Sequence, residues 1–316
     1  MAKRLSIKQI NEELKAKGLY LNREDAKNFT LFKTDGDELV ELKKLSGSLS
    51  EVYAEVASVD VEEETEISEA AHELGLTMQD QFRNLSVYTK LLVEKDSEMA
   101  LQIVAGPPGI GKSYEIVDAL NGTIGEHGYQ IISGKSTAIE VYNTLFQNRN
   151  SVVLFDDCDS IFDSQDSINI LKAATQVNHK TGRRNVQWRS NTKLVEMNEF
   201  DFEGRVIVIT NKNFAKATMA KARPMVSRSY FIHFENNRDE ILERTRDIAK
   251  KELFGLTLAE RNEVVDYIAQ FKSFTPDLRL YRAMASLAAK AKKTGFDWKE
   301  VGKSIIYSQK FLDDEK

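Results

Sequence analysis

The chain has 316 residues, of which 41% are hydrophobic and 29% charged, enough for one large or two medium folded units with their own cores. The single cysteine, Cys158, excludes an intrachain disulfide and a cysteine-based metal site, and the four histidines (His72, His127, His179 and His233) lack ligand spacing. No stretch approaches the roughly 18 apolar residues that a membrane span needs, and the polar start shows no apolar signal region, so a reducing, cytoplasmic compartment is expected.

The net charge of −5 hides two opposed blocks. Residues 46–80 carry ten acidic side chains and no Lys or Arg, whereas residues 172–234 carry twelve basic and four acidic ones. In chain order, residues 6–18 read as a short amphipathic helix, with Ile7, Ile10 and Leu14 on one face and Gly18 as a stop. Residues 29–33 and 38–42 read as two strands around the turn signal Thr34-Asp35-Gly36-Asp37. A small α+β module over residues 1–44 is expected, then an acidic linker over 45–77.

From residue 78 the pattern changes. A helix is expected over 78–97, then an apolar strand from Ala100 to Ala105, a Gly-rich turn and a helix over 112–120. Strand-length apolar runs follow at 129–133, 151–155, 205–210 and 230–234, separated by helical patterns at 136–148, 164–177 and 213–222. Strands alternating with helices predict an α/β core with a mostly parallel sheet, spanning 78–235. Residues 236–316 read as four helices, at 237–252, 257–272, 276–293 and 297–311.

The turn after the first core strand, Gly106-Pro107-Pro108-Gly109-Ile110-Gly111-Lys112-Ser113, satisfies the phosphate-loop pattern G-x-x-x-x-G-K-[ST]. A triphosphate needs several backbone N–H donors converging on it, hence a loop whose glycines reach conformations closed to other residues. The following helix N-terminus adds its positive dipole end. Lys112 supplies a cation for the β- and γ-phosphates, the Ser113 hydroxyl is a candidate Mg²⁺ ligand, and Tyr114 continues the nucleotide-binding run. Val152 to Phe155 form a buried-strand pattern ending in Asp156-Asp157, at the strand end where open α/β sheets bind ligands. Asp156 would hold Mg²⁺ and Asp157 would polarise the attacking water. Asp159 and Asp163 read as helix-start residues, and Cys158 as a packed side chain.

These residues, in this order, resemble the AAA+ ATPases over roughly residues 78–316. The resemblance implies a P-loop NTPase core with a parallel sheet, ATP and Mg²⁺ as cofactors, and a C-terminal four-helix lid. It also implies a homo-oligomer, a hexameric ring or spiral. By the same resemblance, Val206 to Asn211 look like the sensor-1 strand, with Asn211 orienting water beside Asp157. Arg228 sits where the family places its arginine finger, with Arg223 as its rival. Arg279 matches the sensor-2 position, with Arg282 as its rival. Asp157 departs from the Glu that many members carry, and Ser133-Gly134-Lys135-Ser136-Thr137 lacks the aromatic pore loop of protein unfoldases. Asp156-Asp157-Cys158-Asp159 and the later segments 169–173 and 187–190 also resemble small AAA+ ATPases of tailed bacteriophages, which would place the chain in a bacterial host's cytoplasm.

Residues 172–195 contain six basic side chains and no acid, with Trp188 among them. Basic groups around an aromatic suit a nucleic-acid backbone and a stacked base. Lys135, Arg183, Arg184, Trp188 and Arg189 are therefore candidate DNA contacts, with a protein or intersubunit surface as the alternative. Three functions stay open: a DNA-directed motor or loader, a protein-remodelling ATPase that recognises a partner through residues 1–44, and a nucleotide switch with little turnover.

Overall fold

The computed structural model describes residues 7–14, 19–23, 25, 27–35, 38–46, 48–49, 52, 74–189, 194–235 and 237–314. Gly36 and Asp37 of the expected turn, the nine acidic side chains from Glu51 to Glu73, and Lys193 lie outside them. The chain divides into two compact units, Met1–Ala70 and Ala71–Lys316.

In the first unit, helix α1 (Ile7–Leu14) accompanies an antiparallel sheet of β1 (Leu19–Arg23), β2 (Asn28–Asp35) and β3 (Glu38–Ser46), in that order. Strand β1 was not expected from the sequence. Its backbone is tied to α1 by Asn11, whose side chain donates to the Leu21 carbonyl (3.0 Å) and accepts from the Leu21 N–H (2.8 Å). Ile10, Leu14, Leu21, Phe29, Leu31 and Leu45 close a small core.

The second unit holds a five-stranded, all-parallel sheet of β4 (Leu101–Ala105), β5 (Tyr129–Ser133), β6 (Val152–Asp156), β9 (Arg205–Thr210) and β10 (Tyr230–His233). Their spatial order is β10-β4-β9-β6-β5. A short antiparallel pair, β7 (Asn185–Gln187) and β8 (Glu199–Asp201), stands apart from this sheet. The central strands β4, β9 and β6 are buried on both faces, as parallel sheets require, whereas the edge strand β5 is partly exposed. Side chains of β4 and β9 alternate between two cores. Leu101, Ile103, Val206 and Val208 face one, and Val104, Ile207 and Ile209 face the other.

The first core is covered by α4 (Ala138–Gln147) and α6 (Gln165–Thr175), with the short helices α5 (Ser160–Asp163) and α7 (Arg223–Val226). The second is covered by α2 (Met78–Leu92) and α3 (Lys112–Ile124), and Ile241 of α8 (Arg238–Ala249) joins it. Helices α8, α9 (Leu258–Ala269), α10 (Leu278–Thr294) and α11 (Trp298–Asp314) form the C-terminal bundle around Val264, Ile268, Tyr281 and Met284. This is an α/β P-loop NTPase core followed by four helices. Among the described residues, no helix is long and apolar enough to cross a membrane.

Two helices differ from expectation. Helix α2 stops at Leu92, not residue 97. Beyond it the polar Glu94 to Ser97 segment forms turns, and Arg205 donates to the Leu92 carbonyl at 2.9 Å. Residues 213–222 hold only a 3₁₀ turn at Ala217–Met219. There the Asn213 side chain accepts from the Ala215 N–H (2.8 Å), and the Arg223 guanidinium takes the carbonyls of Phe214 and Ala215. Both contacts compete with helical backbone bonds.

Candidate nucleotide site

The strand order sets the site. Strand β9 lies between β4, which feeds the phosphate loop, and β6, which ends at Asp156. Asn211, just past β9, therefore stands between the loop lysine and the acids after β6. Lys112 is only 5% exposed. Its ammonium donates to the carbonyls of Gly106 (2.7 Å) and Pro107 (2.6 Å) and to Oδ1 of Asn211 (3.3 Å). The Asn211 amide donates to Asp157 Oδ1 (3.3 Å), and the Ser113 hydroxyl donates to Asp156 Oδ1 (2.9 Å). Burial pulls the Lys112 ammonium down to about 8, against the opposing pull of Asp157, Asp156 and Asp159. Burial also pushes the Asp156 carboxyl up, while the Ser113 hydroxyl opposes that rise.

The loop backbone explains its glycines. Gly106, Gly109 and Gly111 have φ of 143°, 77° and 100°. A β-carbon on Gly106 would lie 2.7 Å from both the carbonyl oxygen and the β-carbon of Phe234. Gly106→Ala is therefore expected to cost about 1–3 kcal/mol from backbone strain alone, more with this overlap, read as a lower urea midpoint. An unchanged midpoint would show that the loop relaxes freely. At Gly109 a β-carbon would run into the Asp277 side chain, and the Gly109 carbonyl accepts from the Leu278 N–H (2.9 Å). The first turn of α10 is thus seated directly on the phosphate loop.

A cavity of about 770 Å³ opens over the loop, within the usual range for a small-molecule site. Lys112, Ser113, Asp157 and Asn211 line one part of it, and Arg279 and Arg282 reach it from α10. Arg279 is exposed, and its charge acts on Lys112 and Asp156. The Arg282 guanidinium lies 5.4 Å from the Phe254 ring centre.

Sequence reasoning missed the rest of the wall, which includes Gln79, Glu115, Arg244, Lys251 and Leu253. Arg244 of α8 pairs with Glu115 of α3 (2.8 Å) and stacks over Phe82 of α2 (4.0 Å). The partners lie 129 residues apart, so no local pattern pointed to them.

Asp159 stands at the start of α5, as expected, but its side chain acts elsewhere. It precedes α5 without a side-chain capping bond, and its carboxylate instead accepts from the Thr210 hydroxyl and the Asn211 N–H. Asp163 ends α5 and pairs with Lys212 (2.8 Å). Cys158 is fully buried, and burial pushes its thiol up, as a packed side chain requires.

Outside the cavity, Arg228 is exposed and donates to the Pro224 carbonyl (3.1 Å). The rival Arg223 is held by two carbonyls of its own chain. The candidate DNA contacts separate. Lys135, Arg183 and Arg189 are exposed, although Arg183 pairs with Asp201 (2.9 Å) and Arg189 bonds Gln187. Trp188 and Arg184 differ from the expected exposed platform. The indole packs edge-on to Tyr142 (5.5 Å), because β7 folds back against α6 and the first core. Arg184 lies over Phe202 (5.6 Å), and burial lowers its pKa to about 10.

No protein-family model matches the sequence, and no curated protein matches it. Among solved structures, the chain is similar to domain III of the replication initiation protein DnaA from Thermotoga maritima, at 14% identity and a TM-score of 0.43, covering 72% of this chain and 90% of that one. It is also similar to the Thermotoga maritima RuvB Holliday junction branch migration motor, at 13% identity and a TM-score of 0.42, covering 72% and 69% of the two chains. A structure describing katanin self-assembly matches at 14% identity and a TM-score of 0.39, covering 71% and 72%. At these scores the likenesses carry no functional inference, and the fold assignment rests on strand order and loop geometry.

Proposed function

We propose that this chain is an AAA+ ATPase that couples ATP hydrolysis to the remodelling of a macromolecule, as a DNA-metabolism motor or loader. One observation carries the hydrolytic reading. Lys112, the Ser113–Asp156 pair and the Asp157–Asn211 pair meet beside one cavity, over a loop whose three glycines have positive φ and where Gly106 and Gly109 leave no room for a β-carbon. Such a cradle suits a triphosphate, whose oxygens accept from backbone N–H groups and from Lys112.

The donor set also suits Mg²⁺. Among the described residues no group of three or more His, Cys, Asp or Glu could hold a metal. Mg²⁺ beside a nucleotide, however, takes only one or two protein oxygens, with phosphates and water completing its shell. Ser113 Oγ and Asp156 would supply them. Held there, the ion would supply charge neutralisation for the nucleotide's phosphates. Asp157 would accept the proton of the attacking water, and Asn211 would hold that water in line. Arg279 would meet the nucleotide from α10, and Arg228 would serve a neighbouring subunit.

The DNA-directed part rests on residues 172–195, which hold six Lys or Arg and no acid, and on the exposed Lys135, Arg183 and Arg189. The resemblance to tailed-phage ATPases extends the proposal to a phage-encoded factor. A second reading, protein remodelling, is favoured by the separate compact unit Met1–Ala70.

Steady-state ATP hydrolysis against protein concentration, with and without DNA, tests these readings. Turnover that rises cooperatively and is stimulated by DNA is the expected result. Cooperative turnover indifferent to DNA would move the reading to protein remodelling. Nucleotide binding without turnover at any concentration would leave a switch.

A further inference from the structure

Asp156 ends β6 and Asp157 and Asp159 follow it; the machinery above uses the first two. The third, Asp159, is half-buried and bonds neither a helix terminus nor a cation. Its Oδ1 accepts from the hydroxyl of Thr210, a residue with no exposed surface, and from the Asn211 N–H at 3.3 Å. It thus ties the ends of the adjacent strands β6 and β9, whose last paired residues are Asp156 and Ile209.

The backbone between the two outer acids makes this reach possible. Asp157 has φ of 55°, a left-handed conformation uncommon for a residue with a side chain. That turn sets Asp157 and Asp159 on either side of Asn211. Asp157 accepts from the side-chain amide (3.3 Å), and Asp159 from the backbone N–H (3.3 Å). With Lys112 donating to the amide oxygen (3.3 Å), Asn211 is held at three points. Two of them, Lys112 and Asp157, are groups that the nucleotide and the attacking water would engage. Only Asp159 is free to hold Asn211 throughout.

We infer that Asp159 is a positioning residue for hydrolysis: it fixes the backbone of Asn211, and so the place of the attacking water, without touching nucleotide or metal. The inference rests on the hydrolytic reading above. Thr210 belongs to the same device, because its hydroxyl also accepts from the Lys212 N–H (3.0 Å) and so shapes the turn that follows Asn211.

The test compares Asp159→Ala, Asp159→Asn and the double variant Asp159→Leu/Thr210→Val with the unaltered chain. Three readouts are used: steady-state ATP turnover, binding of a fluorescent ATP analogue, and the urea midpoint. Asp159→Ala is expected to lower kcat by about 10²-fold, the scale of a misplaced reacting group, with analogue affinity unchanged. Asp159→Asn keeps an acceptor oxygen for both donors and is expected to recover much of the loss. The double variant replaces a partly buried polar pair with apolar groups, which restores stability lost to an unpaired hydroxyl. Its midpoint is expected to return towards that of the unaltered chain while its kcat stays low, since the Asn211 N–H still lacks its partner. If kcat recovers together with the midpoint, Asp159 is merely structural and the inference is overturned. Normal kcat in Asp159→Ala would overturn it as well. No turnover by the unaltered chain would instead overturn the hydrolytic reading, and the inference with it.

Discussion

Replacing Arg228 with alanine is expected to lower ATP turnover by about 10³-fold, the usual contribution of an arginine finger, while nucleotide affinity stays the same. The reason is positional. Arg228 lies outside the wall of its own chain's cavity, on the exposed segment between α7 and β10, and among the described residues its guanidinium makes one hydrogen bond, to the Pro224 carbonyl at 3.1 Å. A guanidinium so lightly held is free to reach an anion on another subunit. Arg223 is not, because its guanidinium is committed to the carbonyls of Phe214 and Ala215. Arg223→Ala should therefore lower the urea midpoint and spare turnover per folded subunit. Mixing separates action in trans from action in cis. Arg228→Ala subunits keep an intact cavity, and Asp157→Ala subunits keep an intact finger. Each alone is expected to be inactive, and a mixture to regain turnover where the second type sits beside the first. A mixture that co-assembles and binds ATP yet stays inactive would remove Arg228 from the finger role.

How much of this was legible in the sequence follows from how local each signal is. The phosphate loop and the strand ending in Asp156 are contiguous, and each apolar run lies close to the strand it forms. The helices expected from 136 and 257 start within two residues of those positions, at Ala138 and Leu258, where Thr137 with Glu140 and Thr257 with Glu260 form complete capping boxes. What stayed hidden depends on partners distant in sequence. Asp159 looks like a helix cap until Thr210 is brought beside it, 51 residues later. Trp188 looks like a base-stacking aromatic until Tyr142, 46 positions earlier, fills its edge. The helical pattern over 213–222 gave no warning that Arg223 would take two of its carbonyls. Periodicity reports which face is apolar, and it is silent on which polar group a distant side chain will claim.

Lys112 shows the same cavity from the side of charge. Its side chain is buried, and its ammonium titrates near 8 instead of the ordinary 10.5. Below about pH 8 the lysine is charged in the folded and the unfolded chain alike, and the full cost of burying that charge opposes folding. As pH rises from 8 towards 10.5 the folded chain has lost the proton and the unfolded chain still holds it. Unfolding then takes up a proton, and stability rises with pH, by an amount on the order of 3 kcal/mol for a shift of this size.

Nucleotide affinity should run the opposite way. A triphosphate beside Lys112 restores the charged form, so above about pH 8 binding must take up a proton. Affinity is then expected to be level below pH 8 with respect to this group, and to fall up to about tenfold per pH unit above it. Lys112→Met should lose triphosphate binding and the proton uptake together, and below pH 8 it should unfold at no lower urea concentration, since a buried charge has been removed. Calorimetric titration at pH 8.5 in two buffers of different ionisation enthalpy counts the proton directly. Equal heats in the two buffers, with tight binding, would mean that the triphosphate does not sit against Lys112. Retained tight binding by Lys112→Met would show the same.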